Sequence, residues 1–181
     1  NAFLAVKISY INQMADLCEK VGADVHDVAK GIGLDKRIGN KFLHPGPGYG
    51  GSCFPKDTLA LVKTANENNS NISIVDTVVQ YNAQRKSDMA RKILNELGND
   101  FKNKKVSILG LSFKPETDDM RDSPSLDIIP ILQEKGITIS AYDPAAMDEA
   151  KKVLKNIEFA NNLDTCVHNS DALVILTEWN E

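Results

Sequence analysis

This sequence of 181 residues has few aromatic, cysteine and histidine residues: aromatic side chains make up 6% of it, and it has three cysteines and three histidines. Three widely spaced cysteines do not form a disulfide framework, and so few cysteines and histidines predict no metal site. No apolar run approaches the roughly 20 residues that span a membrane, and no signal-peptide pattern is recognisable. We therefore expect a cytoplasmic protein with reduced thiols and no membrane partner.

Clustered positive charge is also absent. The net charge is −4, and no basic block interrupts the chain. Proteins that bind nucleic acids generally present a basic patch or stripe to the phosphates, so we expect no nucleic-acid partner. The hydrophobic content of 42% and the charged content of 25% are ordinary for a globular protein. The length allows one large domain or two small ones.

The first half of the chain has the apolar spacing of helices. Apolar residues three and four positions apart predict long helices over 1–22 and 73–97, each followed by a glycine that ends it. Two long helices with apolar faces usually pack on each other or on a partner chain. Shorter helices are predicted at 24–33, after an Asp24 N-cap, and at about 57–66, with a loop over 35–52.

The second half alternates short β-branched strands with helices. Strands are predicted at 106–111, 137–144, 157–159 and 172–176, with helices at 125–134, 148–154 and 163–167. This β-α-β-α-β-α-β order is typical of a parallel sheet with crossover helices, an α/β fold.

Charge changes at the same point as the secondary-structure pattern. Residues 1–103 carry a net charge of +2 and residues 104–181 one of −6. We therefore predict a domain boundary near 99–104, with an all-helical domain over 1–103 and a Rossmann-like α/β domain over 104–181.

The segment most suggestive of chemistry surrounds Cys53. Residues 45–57 read Pro-Gly-Pro-Gly-Tyr-Gly-Gly-Ser-Cys-Phe-Pro-Lys-Asp, which predicts neither helix nor strand. Glycines let backbone N–H groups approach a ligand closely. A nearby cation favours the thiolate form of a cysteine, which is the nucleophilic form. A lone cysteine is more often a small buried hydrophobe, but this surrounding sequence favours a backbone-lined pocket with a reactive thiol.

Four stretches of the chain carry a resemblance to known proteins: Asn1–Ala5, Arg37–Leu43, Gly48–Asp57, and Gly110–Pro115 continued by Asp118–Arg121. They resemble the nucleotide-sugar dehydrogenases of the UDP-glucose/GDP-mannose dehydrogenase family. The resemblance covers essentially the whole chain, and the cysteine motif is its most specific part. It implies oxidation of the C6 alcohol of a nucleotide-linked sugar to a carboxylate, with two hydride transfers to NAD.

The resemblance implies three catalytic residues. Cys53 would add to the C6 aldehyde as a thiohemiacetal, which becomes a thioester that water hydrolyses. Asp57 would position or activate that water. Asn1 would stabilise the developing oxyanion together with a lysine that the family has four residues earlier. This chain begins just after that position, and Lys7 is interpreted as a surface lysine on a helix.

The resemblance also implies binding residues. Arg37 would reach the substrate of a neighbouring subunit, or is a solvated surface charge. Lys114 would bind the substrate. Lys56 and Arg121 would contact NAD; the alternative for Arg121 is pairing with a neighbouring aspartate. The substrate loop would comprise Phe42, Leu43, His44, Pro45, Gly46 and Gly50.

Residues 110–113 read Gly-Leu-Ser-Phe, which lacks the Gly-x-Gly-x-x-Gly dinucleotide fingerprint. The resemblance implies that the second half of the chain binds the nucleotide of a UDP-sugar, as in the family, and that NAD binds to a domain N-terminal to this chain. It also implies an incomplete C-terminal domain, a homodimer built on the long helices, and no turnover by this fragment alone.

Two alternatives stay open at this level. The sugar nucleotide could be GDP-mannose rather than UDP-glucose, although residues 37–43 favour UDP-glucose and a UDP-glucuronate product for polysaccharide synthesis. The chain could also be a non-catalytic nucleotide-sugar-binding or dimerisation module. The intact Cys53, Lys56 and Asp57 argue against that, because a binding module needs no thiol.

Overall fold

The computed structural model describes residues 1–180. Within them the chain forms helices and strands in the following order: α1 (Ala2–Val21), α2 (Val25–Gly33), α3 (Phe54–Glu67), α4 (Ser73–Leu97), β1 (Lys105–Leu109), α5 (Ser125–Glu134), β2 (Thr138–Tyr142), α6 (Met147–Val153), β3 (Glu158–Phe159), α7 (Leu163–Val167) and β4 (Ala172–Ile175).

The predicted helices and strands are confirmed to within a few residues at each end. Gly22 ends α1 in the left-handed conformation, with φ of 71°, and its N–H donates to the carbonyl of Cys18. Asp24 caps α2 by accepting a hydrogen bond from the N–H of His26 at 2.7 Å.

The start of α3 differs from the prediction. The helix begins at Phe54, three residues earlier than expected, so residues 54–56 are helical although the cysteine motif predicted neither helix nor strand there. The presence of Pro55 made this start difficult to predict from the sequence. A proline is compatible with the first turn of a helix, because N–H groups there have no partner within the helix.

Two compact units divide the chain. The first comprises Asn1–Tyr49 and Cys53–Ala83; the second comprises Gly50–Ser52 and the described residues from Gln84 onward. Helix α4 belongs to both, because its C-terminal part, with Ala90 and Leu94, packs in the core of the second unit. The domain boundary at 99–104 stays a prediction.

The first unit is helical. Its small core is built around Ala5, Tyr49 and Val78, with Phe54 packed against it. One side of α1 is left exposed and carries the large apolar side chains of Phe3, Tyr10, Leu17 and Val21. None of the described helices combines the length and apolarity needed to cross a membrane.

The second unit is an α/β fold, as predicted. Its four strands are all parallel and lie in the order β3-β2-β1-β4. Val106 and Ile108 of the central strand β1 are fully buried, which explains its apolar sequence. Because β1 has β2 on one side and β4 on the other, the order reverses there. Open parallel sheets bind ligands outside the carboxyl ends of the strands at such a point.

Replacing Ile108 with alanine should test this core. Ile108 is fully buried in the central strand, so Ile108→Ala should lower the free energy of unfolding by about 3–4 kcal/mol, measured by urea denaturation. Ile175→Ala, at a position in β4 that is 63% exposed, should cost less than about 1 kcal/mol. Equal losses for the two variants would contradict this assignment of the core.

Candidate active site

The Cys53 thiol lies at the N-terminus of α3. Cys53 occupies the N-cap position, its side chain is exposed, and its carbonyl accepts the first helical hydrogen bond, from Asp57, at 2.9 Å. The N-terminus of a helix carries partial positive charge that stabilises nearby anions. Cys18 and Cys166, in contrast, are buried. Cys53 is therefore the exposed thiol of the described chain.

Asn1 and Asp57 meet although 56 positions separate them in sequence. The Asn1 amide Nδ2 donates to Asp57 Oδ2 at 2.5 Å, and Lys56 Nζ lies 3.3 Å from Asp57 Oδ1. The hydrogen bond from Asn1, and then the one from Lys56, hold the pKa of Asp57 below its ordinary value. Asp57 is one helical turn after Cys53, so the thiol has an ionised carboxylate close by in the helix.

Two buried asparagines hold the loop that precedes Cys53. Asn12 on α1 accepts the N–H of Gly46 at 2.8 Å. Asn82 on α4 pairs with both backbone groups of Tyr49, accepting its N–H at 2.8 Å and donating to its carbonyl at 3.0 Å. Each side-chain amide thus replaces the backbone partner that the irregular loop lacks.

Aromatic packing continues this loop onto α3. The Phe42 and Phe54 ring centroids are 6.0 Å apart, and those of Tyr49 and Phe54 are 5.9 Å apart with an edge-to-face orientation. Phe42 has a φ of 63°, an unusual conformation for a large residue. Of the predicted substrate-loop residues, Leu43 is buried and His44 is exposed.

Gly50 and Gly51 are required by close packing within the second unit. A Cβ atom on Gly50 would lie 2.3 Å from the carbonyl oxygen of Asp122, and one on Gly51 would lie 2.6 Å from the Phe113 ring. The Gly51 N–H donates to the carbonyl of Arg121 at 2.7 Å. A side chain at Gly50 would require movement of the backbone at Asp122, and one at Gly51 would have to displace the Phe113 ring and adopt a φ of 82°.

A buried lysine supports the same segment. Lys86 Nζ donates to the Asp122 carbonyl at 3.0 Å and to Asp127 Oδ2 at 2.8 Å, and the Lys86 side chain is only 9% exposed. The carbonyl that faces Gly50 is therefore held by a charge-assisted hydrogen bond.

Arg37 lies in a turn of the first unit and pairs with Asp35. Its guanidinium binds the Asp35 carboxylate at 2.6 Å and its side chain is 89% exposed; this pairing lowers the pKa of Asp35. Lys7 donates to the Ile38 carbonyl at 2.9 Å. Lys7 therefore connects α1 to this turn, a contact that its interpretation as a surface lysine on a helix did not include.

In the second unit, Lys114 and Arg121 are both exposed. Lys114 Nζ lies 5.6 Å from the centroid of the Phe113 ring. Arg121 binds the Asp119 carboxylate through Nε and Nη2, at 2.9 and 2.8 Å, and lowers the pKa of Asp119 through this hydrogen bond. The alternative of pairing with a neighbouring aspartate thus occurs in the structure, and the NAD contact of Arg121 stays a prediction.

Asp143, which follows β2, is a functional candidate that the sequence analysis missed. Burial by itself raises the pKa of this carboxyl, but the backbone N–H groups of Leu111, Ala145, Ala146 and Ser112 together hold it below its ordinary value. Two of these donors, on Leu111 and Ser112, belong to the turn after β1, where a dinucleotide-binding sheet would hold its pyrophosphate. That turn therefore does not fit NAD. The positively charged ends of the Lys56 and Arg121 side chains, in contrast, are of the chemical type that binds the phosphates of NAD.

Asn12 and Asn82 were also missed, although their positions carried a signal. An asparagine is unfavourable inside a helix unless its side chain finds a partner, and both lie among the inward-facing residues of long helices.

Removal of the Asn82 amide should destabilise the loop. Asn82→Ala leaves the N–H and carbonyl of Tyr49 buried without this partner, so the free energy of unfolding should fall by about 2–3 kcal/mol in chemical denaturation. Asn95→Ala, at an exposed site on the same helix, is the matched control and should change it by less than about 0.5 kcal/mol. Similar losses of stability in both variants would refute the role of Asn82 in holding the loop.

Asn1 should control the titration of Asp57. A carboxyl group whose pKa is lowered by folding contributes stability above its unfolded pKa of about 3.9, and this contribution is lost as the pH falls through the folded pKa. Asn1→Ala should move the pKa of Asp57 upward, which NMR titration of the carboxyl carbons can measure. Asp171, whose pKa is lowered by Lys104, is the internal control and should not move. An unchanged Asp57 titration would contradict the assignment.

Comparison with known proteins places this geometry in a family. Residues 1–84 match the central domain of the UDP-glucose/GDP-mannose dehydrogenase family, and residues 107–181 match its UDP binding domain. The whole chain is 55% identical to the UDP-glucose 6-dehydrogenase of Rhizobium meliloti (strain 1021) and 47% identical to UDP-glucose 6-dehydrogenase TuaD of Bacillus subtilis (strain 168). It spans 41% and 39% of their lengths.

Solved structures of dehydrogenases superpose on this chain. A UDP-glucose dehydrogenase from Pyrobaculum islandicum superposes with a TM-score of 0.92 at 35% identity, over 99% of this chain and 41% of that one. A GDP-mannose dehydrogenase from Pseudomonas aeruginosa superposes with a TM-score of 0.69 at 25% identity, over 99% and 43%. The chain therefore belongs to the UDP-glucose/GDP-mannose dehydrogenase family and corresponds to its central and UDP-binding domains.

Proposed function

We propose that the protein containing this chain is a UDP-glucose 6-dehydrogenase, which oxidises UDP-glucose to UDP-glucuronate. The observation that carries the proposal is the exposed Cys53 thiol at the N-terminus of α3, one helical turn from an Asp57 carboxylate that Asn1 binds. This combination has the nucleophile and the polar groups that oxidation of an alcohol to an acid requires. A module that only binds nucleotide sugars has no use for them.

In this proposal Cys53 acts after the alcohol has become an aldehyde. Its thiolate forms a C–S bond to C6, and the former carbonyl oxygen takes up a proton to give a thiohemiacetal. Loss of a hydride from C6 and of the hydroxyl proton then gives a thioester. Water attacks that carbon, the C–S bond breaks, and the products are the carboxylate and the thiol. Bound NAD, the proposed cofactor, would supply the hydride acceptor for both oxidations.

The side chains near Cys53 have distinct proposed roles. The Asp57 carboxylate, kept ionised by Asn1 and Lys56, can accept a proton from the attacking water. The Asn1 amide can donate to an oxyanion that forms at C6. Lys56 would contact NAD, as would Arg121 of the second unit. Lys114 would bind the substrate from the carboxyl end of β1, and the loop 42–46 with Gly50 would line the sugar nucleotide.

Alkylation of Cys53 tests this function. At neutral pH, iodoacetamide should modify Cys53 at least about tenfold faster than a model thiol such as glutathione, because its exposed sulfur lies at the positively polarised N-terminus of α3. Mass spectrometry of tryptic peptides gives the rate at each cysteine. Saturating UDP-glucose should slow modification of Cys53 at least tenfold, and GDP-mannose at the same concentration should not.

Two controls complete the experiment. Cys53→Ser should remove the fast phase, because Cys18 and Cys166 are buried. A Cys53 rate equal to that of glutathione would contradict an activated nucleophile. Protection by GDP-mannose rather than UDP-glucose would favour the alternative substrate, and no protection by either would contradict the sugar-nucleotide site.

We also propose that a second copy of the chain covers the exposed side of α1. Phe3, Tyr10 and Leu17 are seven residues apart, which places them on one side of the helix, and all three are at least 47% exposed. Such a continuous apolar stripe on a helix favours a helix–helix interface over water.

The homodimer can be tested by replacing one residue of this stripe. Sedimentation equilibrium should give twice the chain mass for the unmodified chain and the monomer mass for Leu17→Lys, because burial of an unpaired charge in an apolar interface is unfavourable. Val153→Lys, at an exposed apolar position of the second unit, should leave the dimer intact. A monomeric unmodified chain at high concentration would refute the dimer.

A further inference from the structure

Asp143 is a fully buried carboxylate for which the proposed chemistry has no use. It lies directly after β2. Its Oδ2 atom accepts the N–H of Leu111 at 2.7 Å and that of Ser112 at 3.1 Å. Its Oδ1 atom accepts the N–H of Ala145 at 2.9 Å and that of Ala146 at 2.8 Å. One carboxylate therefore joins the turn after β1 to the turn after β2.

The position of this carboxylate is unusual for the fold. In open parallel sheets the backbone N–H groups of the turn after the first strand commonly hold phosphates, with help from the helix that starts there. Here Asp143 already accepts two of those N–H groups. Helix α5 begins only at Ser125, well after the turn. A charge of the protein itself thus accepts N–H groups of the kind that such folds commonly offer to a phosphate.

Packing closes the rest of the turn. Gly110 has a φ of 80°, and a Cβ atom there would lie 2.4 Å from the carbonyl oxygen of Thr177. The Thr177 hydroxyl donates to the Ser112 carbonyl at 2.6 Å. The turn is therefore filled from the side of β4 as well, and a phosphate has no space to approach Ser112 from that direction.

The turn continues directly to Lys114. The Ser112 hydroxyl oxygen lies 2.9 Å from the Lys114 carbonyl and 3.2 Å from Asp143 Oδ2. The Asp143 carboxylate thus accepts the backbone N–H of Ser112. The Ser112 hydroxyl in turn donates to the backbone carbonyl of Lys114. A short chain of hydrogen bonds leads from the buried carboxylate to the exposed lysine.

We propose that Asp143 is a positioning residue that acts as a built-in anion: it occupies the phosphate-type N–H groups of the turn after β1 and so fixes Lys114 for the UDP-sugar. The role of Lys114 in this proposal rests on the proposed function. The consequence is specificity: the second unit, although Rossmann-like, rejects a dinucleotide at this turn and presents a lysine instead.

The proposal predicts chemical rescue by a small carboxylate. Asp143→Ala removes the anion and leaves its four N–H donors facing a cavity of carboxylate size. The unfolding temperature of the variant should fall by roughly 5–10 °C in sodium chloride. Sodium formate at the same ionic strength should restore at least half of that loss, while changing the unmodified chain by no more than chloride does.

Two further variants serve as controls. Asp143→Asn fills the same space, but its amide NH2 group faces backbone donors; it should be destabilised and formate should not rescue it. Asp171→Ala removes an aspartate that accepts the N–H of Lys105 at the surface, and it should show no difference between formate and chloride.

An NMR readout connects the anion to Lys114 without using the ligand. In 1H–15N spectra of Asp143→Ala, the amide signals of Leu111, Ser112 and Lys114 should shift in chloride and return toward their original positions in formate. Affinity for UDP-glucose, measured by calorimetry, should fall about tenfold in chloride and recover in formate. Lys114→Ala should lose affinity in both salts.

The outcomes are separable. Formate-specific recovery of stability and of the Lys114 signal supports the proposal even if no form of the chain binds UDP-glucose, a result that would instead refute the proposed function. Equal effects of formate and chloride on Asp143→Ala would overturn the proposal for Asp143. Recovery of stability in formate without movement of the Lys114 signal would overturn it too. If the alanine variant is unfolded in chloride, refolding in formate supports the proposal, and failure to refold there overturns it.

Discussion

The loop before Cys53 depends on one requirement: its backbone polar groups need partners that regular secondary structure does not provide. Buried N–H and carbonyl groups without partners are costly. Asn82 meets the requirement most directly, because its single amide serves both backbone groups of Tyr49. Asn12 does the same for the N–H of Gly46. Both come from long helices, so an irregular loop acquires the fixed geometry of the helices that hold it.

Close packing explains the two adjacent glycines of the loop. A side chain at Gly50 or Gly51 would collide with a backbone carbonyl or with an aromatic ring. Helix α3 then begins immediately, at Phe54, with Pro55 in its first turn. The loop therefore ends abruptly at Cys53, which becomes the N-cap of α3. A reactive side chain gains from such a position because it is exposed and yet attached to a rigid element.

Much of the fold could be predicted from the sequence, because it depends on local periodicity. Helices α1 and α4 follow from apolar spacing and from the glycines that end them, and β1 follows from its buried β-branched residues. The start of α3 could not be predicted as easily, since Pro55 is compatible with both a loop and the first turn of a helix. The need for glycine at position 50 is also invisible in sequence, because a backbone carbonyl far along the chain creates it.

Some residues of the candidate site could likewise be predicted from the sequence, and others could not. Residues recognisable by chemical type, such as Cys53, Lys56 and Asp57, could be predicted as site residues from the motif and from the resemblance that it carries. Residues that act on the backbone were not, because asparagine, serine and aspartate have many ordinary roles and their partners are distant in sequence. Asn12, Asn82 and Asp143 belong to this group, and each became apparent only when its hydrogen bonds were known.

Asp143 also shows how a common fold can change its ligand without changing its topology. A parallel sheet presents backbone donors at the end of its first strand whatever it binds, and buried donors need acceptors. A phosphate from the ligand can meet that need, or a carboxylate from the neighbouring strand can. Once the protein supplies the carboxylate, the site no longer attracts a dinucleotide, and the same turn can extend an exposed lysine toward a different ligand. The choice between these two uses of the fold then depends on one buried side chain.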